Sequence, residues 1–276
     1  MPGDESSNLP SQPMNMDTRT TPELFSLKGK VVVLTGGAGL YGRGLAAQLA
    51  EAGATLILAS RNTDALEKVC QEEGERGYEV IAHFLDLEKL DSIDALKNSI
   101  LAQHGRIDGL VNNAVARPMK GPDDDIASWE TSMRVNATGL FAISRSIGDL
   151  MSEAGAGSIV NIGSIQGMVG PDLSLYEGLD MGTVPDYFFH KGGMENLTRY
   201  FASVYGRNGV RVNCVAPGGF FNNQPPKFIE RYNRKTYLGR MAGTRDLGGA
   251  VAFLLSDASA YITAANLPVD GGYTAN

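Results

Sequence analysis

From residue 29 onward the apolar positions fall into a repeating order. Short β-branched or aliphatic runs occupy residues 30–34, 54–59, 79–84, 109–111, 158–162, 210–215 and 267–269. Between them lie longer stretches, at residues 43–52, 64–76, 93–104, 129–151, 187–205 and 245–256. Runs of that brevity read as strands, and stretches of ten or more residues read as helices. Strands that alternate with such helices predict an α/β fold: a single-domain, Rossmann-type, doubly wound parallel sheet of about seven strands, with helices on both faces. No internal repeat is visible beyond this alternation.

Composition narrows the picture. A chain of 276 residues with 43% hydrophobic and 20% charged positions can bury one large core. Its formal charge of -7 and the lack of a basic stripe argue against nucleic-acid partners. No apolar run is long enough to span a bilayer, and the N-terminus lacks the order of a secretory signal, so no membrane role and a cytoplasmic location are expected. Cys70 and Cys214 lie far apart, with neither metal-site nor disulfide-framework spacing, and read as inert thiols. Residues 1–25 are polar and rich in Ser, Pro, Asn and Thr, which predicts a flexible arm ahead of a domain at 26–276.

Candidate chemistry gathers where the strands end. The first run leads into Thr35-Gly36-Gly37-Ala38-Gly39-Leu40-Tyr41-Gly42 and then a helix; Gly37, Gly39 and Gly42 match G-x-G-x-x-G. A strand, a glycine turn and a helix in that order set backbone N–H groups at a helix N-terminus, where a pyrophosphate binds. Asp86, Asn112-Asn113-Ala114, Ser164 and Pro217-Gly218 also follow strands, at the sheet edge where open α/β folds bind ligands. Tyr187 and Lys191 stand four apart at the start of a helix and share one face. An ammonium about 4 Å from a phenol favours the phenolate by about 4 kcal/mol at an effective dielectric near 20. That is enough to bring a general acid/base toward neutral pH.

Taken in order, Thr35-Gly36 with Gly42, Asp86, Asn112-Asn113-Ala114, Asn136, Ser164, Tyr187 with Lys191, and Pro217-Gly218 resemble the short-chain dehydrogenase/reductase family over about residues 28–275. The resemblance implies that Tyr187 exchanges a proton with the reacting oxygen, while Lys191 eases that exchange and holds the nicotinamide ribose. It implies that Ser164 hydrogen-bonds the carbonyl or hydroxyl and that Asn136 seats a relay water. Thr35, Gly36, Gly37, Gly39, Leu40, Tyr41 and Gly42 would hold the pyrophosphate. Asp86 and Leu87 would meet the adenine, Asn112, Asn113 and Ala114 the adenosine ribose region, and Pro217, Gly218 and Phe220 the carboxamide. Family members are commonly tetramers or dimers, so a homo-oligomer is expected.

The chain departs from the family pattern in informative places. Leu40 replaces the usual middle glycine, Val115 stands where glycine is usual, and no threonine closely follows Pro217-Gly218. Ser164 and Tyr187 are 23 positions apart (187 − 164), about twice the usual spacing, so residues 166–186 read as a substrate insertion. Tyr176, 12 positions after Ser164, is a rival phenol, but Asp180 four residues on would oppose its ionisation. The second strand ends in Ser60-Arg61 without the acid that binds a ribose 2′-hydroxyl, which favours NADP over NAD.

Ser164, Gln166, Tyr176, Tyr187, Arg117 and Asn223, with a lid at 219–241, make a polar substrate pocket. It suits a sugar, sugar acid or polyol, resembling gluconate 5-dehydrogenases and surface-sugar enzymes. Arg117 or the basic face of Lys227, Arg231 and Arg234 could bind a carboxylate; the blander alternative is a solvated lid. His190 is expected to face away from the Tyr187/Lys191 stripe, and no metal site is expected. Two alternatives stay open: a nucleotide-sugar epimerase or dehydratase that retains NAD, although only 59 residues follow Pro217 (276 − 217), and a non-catalytic dinucleotide-binding protein.

Overall fold

The computed structural model describes residues 18–276. Seven strands, β1 (Val31–Thr35), β2 (Thr55–Ser60), β3 (Val80–Phe84), β4 (Gly109–Asn112), β5 (Gly157–Ile162), β6 (Val210–Pro217) and β7 (Asn266–Val269), form one sheet in the order β3-β2-β1-β4-β5-β6-β7. Every pairing is parallel, with Val33 opposite Ile57 on one side and Leu110 on the other. The chain therefore has the α/β, Rossmann-type fold that the alternation of runs predicts.

The strands are apolar at successive positions because both sheet faces are covered. Side chains alternate across the sheet, so Val31 and Val33 enter one core with Ile100, Ile143, Ile159 and Phe201, while Val32 and Leu34 enter the other with Leu45, Leu49, Leu58 and Leu254. The first core lies under α4 (Leu90–His104), α6 (Leu140–Ala154) and α7 (Pro185–Tyr205). The second lies under α2 (Leu40–Glu51), α3 (Thr63–Glu75) and α9 (Gly248–Leu255). Strand order reverses between β1 and β4, the point at whose C-terminal edge open α/β folds bind ligands, and a small cavity lined by Thr35, Asn112 and Ala114 lies there.

Three segments differ from the reading of the sequence. Residues 1–17 of the expected arm lie outside the described residues, but Thr21–Phe25 form a short helix, α1. Glu23 accepts from Thr20 N at 2.6 Å, Phe25 stacks on Phe253 at 5.6 Å, and Arg19 pairs with Asp257, so the chain is tied down before residue 25. The long helix at 129–151 is broken into α5 (Ile126–Met133), a π-helical turn at Arg134–Gly139, and α6. That turn carries Asn136, and its Gly139 presses so closely on Leu87 that a Cβ would lie 2.5 Å from the Leu87 carbonyl oxygen. The last long helix starts at Gly248 instead of 245, because Asp246 is held in a turn, accepting from Gly243 N at 2.6 Å. Among the described residues no helix is long and apolar enough to cross a membrane.

Candidate active site

The glycine turn is shaped by close approach. Gly36 takes a φ of +70°, and a Cβ on Gly42 would lie 2.1 Å from the Gly36 carbonyl oxygen. Gly39 is the N-cap of α2, and no side chain caps that helix, which leaves its first N–H groups for a ligand. Leu40 is 56% exposed at the mouth of the turn. Tyr41 instead turns toward Gly218 and Phe220: its hydroxyl donates to the Gly218 carbonyl at 2.7 Å and its ring meets Phe220 edge-on at 4.8 Å. Burial, then the nearby Tyr187 phenol, pushes Tyr41 well above the ordinary tyrosine range. The cradle of glycines at an uncapped helix end fits a dinucleotide pyrophosphate.

The turn is braced from β4. Asn113 Nδ2 donates to the Thr35 and Gly36 carbonyls at 2.9 and 3.0 Å, and Thr35 Oγ1 accepts from Asn113 N and Ala114 N, both at 3.0 Å. Asn112 spends both amide hydrogens inside the protein, on Ser144 Oγ at 2.9 Å and Asn161 Oδ1 at 2.8 Å. Asp86, expected to meet the adenine, is buried and accepts from Glu88 N at 3.1 Å, with Leu87 half-buried beside it. Ser60 Oγ donates to the Asn62 carbonyl at 3.3 Å, and Arg61, largely exposed, lies 3.7 Å from Glu88.

Tyr187 sits in the first turn of α7, whose start Pro185 favours through its fixed φ. Lys191, one turn on, is 3% exposed and donates to the Ile162 carbonyl at 2.5 Å. Its Nζ is 5.6 Å from the Tyr187 ring centre, and the Arg117 guanidinium lies over the same ring at 4.8 Å. Burial lowers the Lys191 pKa, while the Tyr187 phenol opposes that shift. Ser164, buried at the end of β5, accepts from Gln166 N at 3.1 Å. Asn136 Oδ1 accepts from Ala116 N, and Nδ2 donates to the Ala116 carbonyl, both at 2.8 Å. Nδ2 also donates to Ser132 Oγ at 3.0 Å, and Ser132 donates to buried Asp186 at 2.5 Å.

His190 does not face away from this group. It is 3% exposed, its ring meets Tyr187 edge-on at 5.2 Å, and it lines a small cavity with Asn136, Asn112, Thr35 and Lys191. His190 stands three positions after Tyr187, so it shares the buried side of α7 with the phenol and Lys191, while Phe189 on the far side is exposed. Ser132, four positions before Asn136 on the helical path, and Asp186, next to Tyr187, were likewise missed by the sequence reading. Only the i, i+4 spacing of Ser132 and Asn136 hinted at the contact.

The segments 166–186 and 219–241, expected to be a substrate insertion and a lid, are tied together. Arg231 in α8 (Pro226–Lys235) donates to the Leu175 and Glu177 carbonyls at 3.2 and 2.7 Å, and Lys235 pairs with Asp172 at 2.8 Å. Arg234 pairs with Glu230. Arg231 and Lys235 are thus spent on the segment 166–186 and Arg234 on α8 itself, while Lys227 is exposed. Tyr176 packs against Phe228 at 5.4 Å; burial first, and then Asp172, raises its pKa, whereas the sequence pointed to Asp180. Asn223 sits exposed in a left-handed turn (φ +54°), and its neighbour Gln224 donates to the Phe220 carbonyl at 2.7 Å. Cys214 is buried, which pushes its thiol up to about 12, and among the described residues no three His, Cys, Asp or Glu are grouped to hold a metal.

A family model described as enoyl-(acyl carrier protein) reductase matches residues 39–274. The chain belongs to the short-chain dehydrogenase/reductase family. It is 34% identical over 254 residues to a cis-4-hydroxycyclohexanecarboxylate dehydrogenase of Sinomonas cyclohexanicum, covering 89% of this chain and 97% of that one. It is 33% identical over 269 residues to a galactitol 2-dehydrogenase (L-tagatose-forming) of Cereibacter sphaeroides, covering 94% and 99%. The crystal structure of a gluconate 5-dehydrogenase from Burkholderia cenocepacia, in complex with NADP and tartrate, superposes with a TM-score of 0.85 at 28% identity, covering 93% of this chain and 100% of that one. This short-chain dehydrogenase/reductase is an NAD(P)-dependent oxidoreductase.

Proposed function

We propose that the enzyme interconverts a secondary alcohol and a ketone on a small polyhydroxylated substrate carrying a carboxylate, a sugar acid before a plain sugar or polyol. One observation carries this reading: two cations approach the Tyr187 ring, buried Lys191 at 5.6 Å and exposed Arg117 at 4.8 Å, and among the described residues Arg117 has no acid in ion-pair reach. Lys191 serves the phenol; Arg117, on the open side, suits an anionic end of the substrate. Bound nicotinamide would supply or accept the hydride. Tyr187 gives or takes the proton at the substrate oxygen, Ser164 orients that oxygen, and Asn136 holds the Ala116 backbone beneath the pocket. Gln166, Tyr176 and Asn223 offer polar contacts from the insertion (166–186) and the lid (219–241).

NADP is the preferred form in this reading, because β2 ends in Ser60 with Arg61 beside it and no acid at the strand end itself; Glu88, 3.7 Å from Arg61, is the carboxylate a 2′-phosphate would displace as that guanidinium's partner. Exposed Phe141, Phe189, Tyr200 and Val204 on α6 and α7 support a homo-oligomer built on those helices. The test is an absorbance screen at the reduced-nicotinamide band, with sugar acids and matched polyols, using both cofactors. Turnover of sugar acids with NADP is the expected result. Turnover confined to uncharged alcohols would remove the role given to Arg117.

A further inference from the structure

His190 is the one buried ring beside Tyr187 for which the reading above has no task. It lies on α7 between the phenol and the amine, 3% exposed, yet neither Nδ1 nor Nε2 has a hydrogen-bond partner in the protein. A buried polar nitrogen left so costs about 1–3 kcal/mol, so its retention needs a reason. The ring faces a cavity of about 10 Å³ that it shares with Lys191, Asn136, Asn112 and Thr35. Space of that size, lined by polar groups, takes one water.

The charges around it fix its form. Burial, then the Lys191 and Arg117 cations, lowers the imidazole to about 3; buried Asp186, one turn earlier on α7, is turned to Ser132. The ring is therefore neutral at ordinary pH, with one nitrogen that accepts and one that donates. Asn136 is poorly placed to hold a water by its amide donors, because both are spent on the Ala116 carbonyl and Ser132 Oγ. Lys191 Nζ has three donors, of which one goes to the Ile162 carbonyl.

We propose that His190 is a positioning residue of the proton path, whose neutral ring nitrogen accepts from a water in this cavity and holds it against the Lys191 amine. The proposal rests on the reading of Tyr187 and Lys191 as the proton-donating pair. In the reducing direction Tyr187 gives its proton to the nascent alkoxide and regains one from the Lys191 ammonium. The neutral amine then takes a proton from the held water, and the water regains one from solvent. One proton passes from solvent to product in each turnover, and His190 stays neutral throughout.

Two measurements test this. The first needs no substrate: long-range proton–nitrogen NMR of the protein, whose three histidines are distinguished by the H190Q variant. The unprotonated nitrogen of His190 is expected to show the shift of a hydrogen-bonded acceptor, and the shift of a free nitrogen would overturn the proposal. The second is kinetic. H190F keeps a ring and removes both nitrogens; it should lower kcat about 10-fold, raise the solvent deuterium effect and leave KM for the dinucleotide unchanged, while H190Q restores most of the rate. An H190F enzyme with wild-type kcat and isotope effect would overturn the proposal even if the NMR shift is as expected. If no alcohol or ketone is turned over, the reading of function fails by itself, and the NMR result still decides whether the water is held.

Discussion

Keeping His190 neutral in the folded protein makes stability depend on pH in a way that isolates this one ring. The ordinary histidine value is 6.5, and the folded value is about 3. Because the folded value is depressed, the unfolded chain binds a proton between these limits that the folded chain refuses. The contribution is intact above about pH 7, is lost as pH falls, and levels off below about pH 3. At pH 5 the loss is RT ln(1 + 10^1.5), or about 2 kcal/mol, a large part of the usual 5–15 kcal/mol of a folded domain. Denaturant titrations of wild type, H190F and H190Q at pH 7 and pH 5 measure it. Wild type should lose about 2 kcal/mol more than either variant over that interval. Asp246, which Arg240 lowers to about 2, titrates below the window and cancels in the difference. Parallel losses in all three proteins would show that His190 charges freely and that the buried, neutral ring is wrong.

Other substitutions separate the remaining roles. Tyr187→Phe should reduce kcat at least 100-fold with dinucleotide affinity kept, whereas Tyr176→Phe should act mainly on KM; steady-state kinetics and dinucleotide titration distinguish them, and the reverse pattern would move the proton donor to the insertion. Arg117→Ala should lower kcat/KM on sugar acids by about 10- to 100-fold but on matched polyols by only about 2- to 5-fold, since only the acids lose a charge-assisted bond beyond the cation–π contact. Arg61→Asp should shift the NADP/NAD ratio of specificity constants toward NAD by about 10-fold or more, and an unchanged ratio would leave Arg61 a solvent-facing arginine. Gly42→Ala forces a Cβ to 2.1 Å from a backbone oxygen, so calorimetry should show lower stability, by about 1–3 kcal/mol, and dinucleotide binding should be largely lost.

The sheet was legible because its central strands, β1, β2, β4, β5 and β6, are buried on both faces and their apolar runs stand out from the turns around them. The glycine turn was legible for the same kind of reason, since Gly36 and Gly42 answer to backbone conformation and close approach, which composition records directly. Tertiary contact hid the rest. A π-helical turn at Asn136 has no periodicity of its own and follows from contacts with Ala116 and Leu87, both distant in sequence. The burial of His190 depends on how deeply α7 sinks beside the π turn; only its spacing of three from Tyr187, which the expectation of an outward ring passed over, placed it on the phenol's side. Lys227, Arg231 and Arg234 displayed a helical charge pattern, but the carbonyls and acids that consume two of them belong to the insertion and to α8 itself.

Because Arg231 clasps two carbonyls of the inserted segment, the aromatic wall around Tyr176 and the helix above it travel together. In the proposed reading, where these segments cover the substrate, its admission and the shape that selects it are one mechanical variable. A substitution on the outer flank of α8, remote from Tyr187, should change product escape and discrimination in the same stroke, and exchange of the two segments between relatives should succeed only when both are moved as a pair.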